Sequence, residues 1–170
     1  MGAATRVTEA KSVPEARPAG YCSVRGRIAP EITFEVHLPL AGWTQRYLQL
    51  GCGGLCGSLR VRLDDHASAC VPAANGTLTL ASTDMGHEGG MDGRWAAGDE
   101  QKKLDFAYRG VHLTAVAAQE LIRRYYGRSA RYRYFSGCSD GGREALMEAQ
   151  RYPQDFDGIA AGAPAKAEII

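Results

Sequence analysis

The chain has 170 residues, 20 basic and 19 acidic side chains, a net charge of +1 and 45% hydrophobic residues. That composition is globular, long enough for one packed domain and too apolar for a disordered chain. The even charge supports neither a nucleic-acid partner nor an anionic membrane surface, and no apolar run reaches the roughly 20 residues of a membrane span.

The opening stretch to Pro18 is small and polar, with charges at Arg6, Glu9, Lys11, Glu15 and Arg17 and no apolar h-region. No secretory signal peptide is visible, and residues 1–20 read as a disordered tail. From Tyr21 the pattern becomes β-like. Ile32, Phe34, Val36 and Leu38 alternate with Thr33, Glu35 and His37, the period of a half-buried strand with His37 turned to solvent. Pro39 ends it, because proline cannot donate to a ladder. Arg46 to Leu50 forms a second strand that runs into Gly51-Cys52-Gly53-Gly54-Leu55-Cys56-Gly57, where the glycines predict a sharp turn and close backbone approach. A third strand is expected over Thr77 to Ala81. The stretch from Gly86 to Gly98 reads as a surface loop, with Asp84 and Glu88 as loop polar groups.

Helical period begins at Val111, with Leu113, Val116, Ala117, Leu121 and Tyr125 on one face and Gly127 as the stop. The arginines and tyrosines between Arg123 and Arg133 read as a solvated helix face in a chain of balanced charge. A strand over Tyr132 to Phe135, a tight turn, a helix from about Arg143 to Arg151 and a buried strand over Gly158 to Ala161 follow. Strands alternating with helices indicate an α/β fold with a largely parallel sheet. A parallel sheet wants further strands, so the end at Ile170 is expected to be a cut.

Gly137-Cys138-Ser139-Asp140-Gly141 satisfies G-x-S-x-G, with a strand before it and a helix after it, the context of a nucleophile elbow. There the Ser139 hydroxyl is lifted off the sheet, and the Asp140 N–H at the helix start can face a developing oxyanion. A second donor is expected from a loop after an earlier strand, the position of Gly53 and Gly54; a purely structural turn fits that spacing equally well. A serine nucleophile also needs a base, and the usual order puts an acid and then a histidine after the serine. Asp155 and Asp157 follow Ser139, but His37, His66, His87 and His112 all precede it. Cys52 and Cys56 lack a second Cys/His pair at zinc-site spacing, so no metal site is expected. Five cysteines leave one over: a free thiol, an intermolecular bridge or a missing partner.

The run Tyr134-Phe135-Ser136-Gly137-Cys138-Ser139-Asp140-Gly141-Gly142-Arg143-Glu144 resembles the tannase and feruloyl esterase family. So do the run from Glu148 to Pro153, the segments Asp155 to Ile159 and Ala161 to Pro164, and, earlier, Tyr21-Cys22, Phe34 to Pro39, Trp43, Gly51 to Gly57 and Thr83 to His87. The resemblance implies a secreted or periplasmic α/β-hydrolase with a large lid, cleaving esters of aromatic acids such as hydroxycinnamates and gallates. Ser139 matches the nucleophile, and Gly54 and Asp140 match the backbone oxyanion donors. Cys138 matches a cysteine that bridges to one just before the catalytic histidine, a partner absent from these residues. Calcium in the family sits in the lid, after Ile170, so no cofactor is expected in this chain. The four other cysteines allow three pairings, of which Cys22–Cys70 and Cys52–Cys56 are favoured.

The expected fold class is therefore α/β, a partial α/β-hydrolase fold whose lid and C-terminal part are absent, with residues 21–170 the N-terminal part of the catalytic domain. The expected function is a serine carboxylic ester hydrolase truncated before the triad Asp and His. The competing expectation is a non-catalytic binding module that kept the fold. The expected partner is a small aromatic ester, and the oligomeric state is open.

Overall fold

The computed structural model describes residues 3–63 and 74–165. Its strands are β1 (Thr5–Val13), β2 (Tyr21–Ile28), β3 (Ile32–Pro39), β4 (Arg46–Leu50), β5 (Thr79–Thr83), β6 (Tyr132–Cys138) and β7 (Gly158–Gly162). They form one sheet in the order β1-β2-β3-β5-β4-β6-β7. The pairings from β1 to β5 are antiparallel, and those joining β5, β4, β6 and β7 are parallel. The hydrolase-like parallel strands thus carry an antiparallel extension along one edge.

Residues 1–20 had been expected to form a disordered tail, and β1 corrects that. Thr5–Val13 pairs with β2 over its whole length, and eight of its nine residues are exposed. An edge strand with solvent on both faces has no reason to alternate polar and apolar residues, so its sequence carries no strand period. β3 is the opposite case. Ile32, Phe34, Val36 and Leu38 are buried as their alternation predicts, yet Glu35 is buried too, because the polar side of this central strand is also covered. Glu35 accepts from Ser23 Oγ at 2.8 Å and Arg25 Nε at 3.0 Å, and lies 2.7 Å from His37 Nε2. Burial alone would raise its pKa, but the bonds from His37 and Ser23 and the charges of His37 and Arg25 bring it down to about 2. His37 is accordingly half-buried, stacked 3.9 Å from Tyr21, rather than free in solvent.

The helical region starts earlier than its apolar period. Helix α1 (Glu100–Leu104) is capped by Asp99, whose side chain accepts the Lys102 N–H at 3.0 Å. A π turn (Asp105–Arg109) leads into α2 (Gly110–Tyr126), which Gly127 closes in the left-handed conformation at φ 69°. The buried face of α2 is Val111, Thr114, Ala115, Ala118 and Ile122, while Val116 and Tyr125 are exposed. Small side chains let the helix approach the sheet closely, so the bulkier expected stripe is rotated toward its flank. Helix α3 (Asp140–Arg151) packs on β6 and β7 and begins three residues before the expected Arg143. One core, including Tyr47, Phe34, Phe106, Ile122, Phe135 and Phe156, joins the helices to one sheet face; Leu48, Leu50 and Leu78 form a small cluster on the other. No helix among the described residues is long and apolar enough to cross a membrane.

Candidate active site

Chain direction places the site. The parallel strands β4 and β6 lie side by side, so the glycine loop after β4 and the turn after β6 emerge at the same end of the sheet. Ser139 stands between β6 and α3 with φ 60° and ψ −115°, a conformation L side chains rarely adopt and that costs on the order of 1–3 kcal/mol. Hydrogen bonds hold it there. Its N–H donates to the Gly162 carbonyl at 3.1 Å, and its own carbonyl accepts from Gly142, Arg143 and Ala165 at 3.0, 3.2 and 3.0 Å. A Cβ on Gly137 would collide with the Gly141 backbone, and one on Gly142 with the backbone of Gly162 and Pro164. Close packing thus requires glycine at both positions and overrides its poor helix propensity in the first turn of α3.

The loop Gly51 to Gly57 is tied to this turn and to its neighbours. Gly51 N–H donates to Ser136 O at 2.9 Å, Gly141 N–H to Cys52 O at 2.8 Å and Leu55 N–H to Gly90 O at 2.7 Å. Cys52 and Cys56 form a disulfide with Cα atoms 5.3 Å apart, inside the usual ~4.4–6.8 Å window. Among the described residues, the N–H groups of Gly54 and Asp140 donate to no protein acceptor. A cavity of about 500 Å³ opens at this point, lined in part by Gly53, Gly54, Ser58, Met91, Cys138 and Ser139. Ser139 and Cys138 are exposed at its wall.

Buried charge lies beneath. Asp140 is fully buried and bonded to Arg143, Nε to Oδ1 at 2.5 Å and Nη2 to Oδ2 at 3.1 Å. Arg143 also donates to the Phe106 and Ala107 carbonyls at 3.1 and 3.2 Å and lies 4.2 Å from the Phe106 ring centroid, fastening the elbow to the π turn. Glu144 is buried beside Asp140. Burial, and then the Asp140 charge, hold its pKa well above the ordinary value. Sulfurs of Cys52 and Cys56 and carboxylate oxygens of Asp140 and Glu144 lie within 4.8 Å of one another, a grouping that could hold a cation only if the disulfide were reduced. Both charged side chains were visible in the Gly-Gly-Arg-Glu run, but sequence reasoning assigned no role to Arg143 or Glu144. Two chemically different side chains directly after the turn glycines were the available signal.

The described histidines are engaged elsewhere. His87 Nε2 lies 2.7 Å from Leu55 O and its ring stacks 3.7 Å from Trp95, so it props the glycine loop; burial lowers its pKa. His87 and Gly86 are buried, which corrects the expectation of a surface loop beginning at Gly86. Beside them Asp84 is buried and accepts the Thr33 and Gly86 N–H groups at 2.9 and 2.8 Å. His112 Nδ1 lies 2.6 Å from Asp155, and Asp157 pairs with Arg133, so both of these aspartates are engaged away from Ser139. His66 and Cys70, and with them the Cys22–Cys70 pairing, lie outside the described residues.

Known proteins resemble this chain in sequence and fold. The chain is 41% identical over 163 residues to an uncharacterized esterase of Xanthomonas campestris pv. campestris, covering 93% of this chain and 27% of that protein. It is 34% identical over 179 residues to the mono(2-hydroxyethyl) terephthalate hydrolase of Piscinibacter sakaiensis, covering 95% and 29%. The crystal structure of feruloyl esterase B from Aspergillus oryzae superposes with a TM-score of 0.81 at 30% identity, covering 95% of this chain and 34% of that one. The chain therefore spans less than a third of the length of these curated relatives. The family described as tannase and feruloyl esterase matches residues 16–168, nearly everything from the end of β1 onward, and the chain belongs to that family.

Proposed function

We propose that these residues are the nucleophile-bearing, N-terminal part of the catalytic domain of a serine carboxylic ester hydrolase acting on esters of aromatic acids. The observation that carries this is Ser139, held exposed in a strained conformation at a cavity where two backbone N–H groups on separate elements have no acceptor among the described residues. The Ser139 hydroxyl attacks the ester carbonyl, its proton passing to a base. The carbonyl oxygen becomes an oxyanion that accepts from Gly54 and Asp140 N–H, at the positive end of α3. Collapse expels the alcohol with that proton and leaves an acyl-serine, which water hydrolyses to the free acid.

A histidine and its aspartate from outside the 170 residues supply the base, and Cys138 pairs with a cysteine beside that histidine. The aromatic acid finds support in two relatives, named for terephthalate and feruloyl esters. The Cys52–Cys56 disulfide supports an oxidising compartment, secreted or periplasmic. Methyl ferulate and methyl gallate turnover by the longest protein carrying these residues is the test. Ser139→Ala is expected to lower kcat by at least ~10³-fold, and a phosphonate ester should label Ser139 by mass spectrometry. Turnover that survives Ser139→Ala would overturn the assignment. The 170 residues alone, without a base, are expected to show negligible turnover.

A further inference from the structure

The two N–H groups proposed to bind the oxyanion belong to different elements. Gly54 sits on the loop after β4 and Asp140 on the first turn of α3, so their separation is only as fixed as the contact between loop and helix. Part of that contact is backbone, the Gly141 N–H on Cys52 O at 2.8 Å and the close approach of Gly51 to Gly141. The rest is Glu144, one turn along α3 and only 2% exposed.

A carboxyl oxygen of Glu144 lies within 4.8 Å of an Asp140 carboxyl oxygen and of both sulfurs, and its other oxygen lies against the loop backbone at Gly51. Its Oε1 lies 2.7 Å from Cys52 Sγ and 3.2 Å from Cys56 Sγ, while Asp140 Oδ2 lies 3.0 Å from Cys56 Sγ. Joined as a disulfide, the sulfurs carry no hydrogen. These short approaches are therefore not thiol hydrogen bonds. Two adjacent buried carboxyl groups facing one guanidinium do not both ionise. Asp140, gripped by Arg143 through both oxygens, carries the charge, and Glu144 carries the proton.

We propose that Glu144, kept as a neutral carboxylic acid, is a positioning residue for the oxyanion pair: one oxygen holds the Cys52 N–H while its O–H donates to the Asp140 carboxylate, pinning the glycine loop to the first turn of α3. This rests on the esterase reading of Ser139. The charged groups that act on Glu144 are Asp140 and Arg143 from its own helix; Gly51, in the loop just after β4, lies against its carboxyl and adds no charge. Losing the proton sets two anions side by side with a single cation, so the clamp loosens at alkaline pH and kcat falls with it.

Glu144→Gln keeps a donor and an acceptor in the same shape but cannot ionise; Glu144→Ala removes both. In the longest protein that carries these residues, with Cys52–Cys56 oxidised, Glu144→Gln should keep kcat within about threefold of wild type and lose the fall in kcat at alkaline pH. Glu144→Ala should lower kcat by ~10-fold or more at nearly unchanged KM, because the oxyanion contacts form in the transition state. Wild-type kcat in Glu144→Ala, or an alkaline fall retained in Glu144→Gln, overturns the proposal. Should Glu144→Ala not fold, Glu144→Gln decides alone. If wild type hydrolyses no ester, the esterase reading fails by itself, and the clamp is then judged on Tm. Wild type should lose more Tm than Glu144→Gln between about pH 7 and about pH 10, and equal losses overturn it.

Discussion

At the start of α3, Asp140 and Glu144 are buried beside Arg143; at its far end Glu148 is buried near Asp155, which pairs with His112. Both ends therefore hold a buried glutamic acid near an aspartate and a cationic or protonatable partner. Burial, and then the Asp155 charge, push Glu148 up to about 8, as burial and the Asp140 charge raise Glu144. The surroundings differ. The first end has a strained serine, two N–H groups without acceptors among the described residues and a cavity of about 500 Å³. At the second, the backbone before Glu148 is regular helix and Tyr152 stacks 3.9 Å from His112. Clustered acids with shifted pKa values arise wherever carboxyl groups are buried together. Backbone strain, unfilled donors and room for a ligand separate a site of reaction from a structural cluster.

The sharpest way to break this contrast is Gly142→Ala, which puts a methyl group into the backbone of Gly162 and Pro164. We expect a loss of about 3 kcal/mol in urea unfolding, with much of the folded population gone. Wild-type stability in this variant would mean that the turn does not depend on close backbone approach.

Glu148→Gln probes the other end. The folded chain holds the Glu148 proton up to about pH 8, whereas the unfolded chain releases it near 4.5. The unfavourable burial of that carboxyl is therefore felt as pH rises: its contribution is fully favourable below the lower value and is lost through the upper one, by at most about 1.4 kcal/mol per pH unit. Glu148→Gln should flatten this slope and leave ester turnover unchanged. An unchanged slope would show that Glu148 is already ionised in the fold.

Ser139→Gly should raise stability by about 1–2 kcal/mol while abolishing turnover, because glycine adopts φ 60° without strain. A destabilised glycine variant would say that the hydroxyl is structural. The smallest effect is expected from His112→Phe, a loss of about 1 kcal/mol from the Asp155 bond, with kcat unchanged. A large fall in kcat there would tie the distal cluster to the chemistry.

The sequence made the reacting end legible because its requirements are chemical and local. Glycines spaced around Ser139 follow from backbone contact, and Arg46–Leu50 and the Gly127 stop follow from strand and cap patterns; β7 forms where expected but is not buried, since Ala160 to Gly162 are exposed at the end of the sheet order. What stayed hidden depends on partners remote in sequence. β1 has no alternation because solvent meets both faces, and the buried stripe of α2 follows small residues rather than large ones. The helical region starts at the Asp99 cap, ahead of the apolar period that begins at Val111, so that period does not mark it. The engagement of His112 by Asp155 joins positions 43 apart in the chain, a distance over which no periodicity speaks.

The bonds that hold Ser139 also set an order in time. Gly142 and Arg143 follow it within four residues, but Gly162, the last residue of β7, and Ala165 are synthesised only after the whole of α3. A chain emerging from the ribosome cannot keep a strained turn without its restraints, so residue 139 is first made in a relaxed conformation. The strained turn is complete only when β7 docks beside β6, and a chain stalled before that point carries the motif without its geometry.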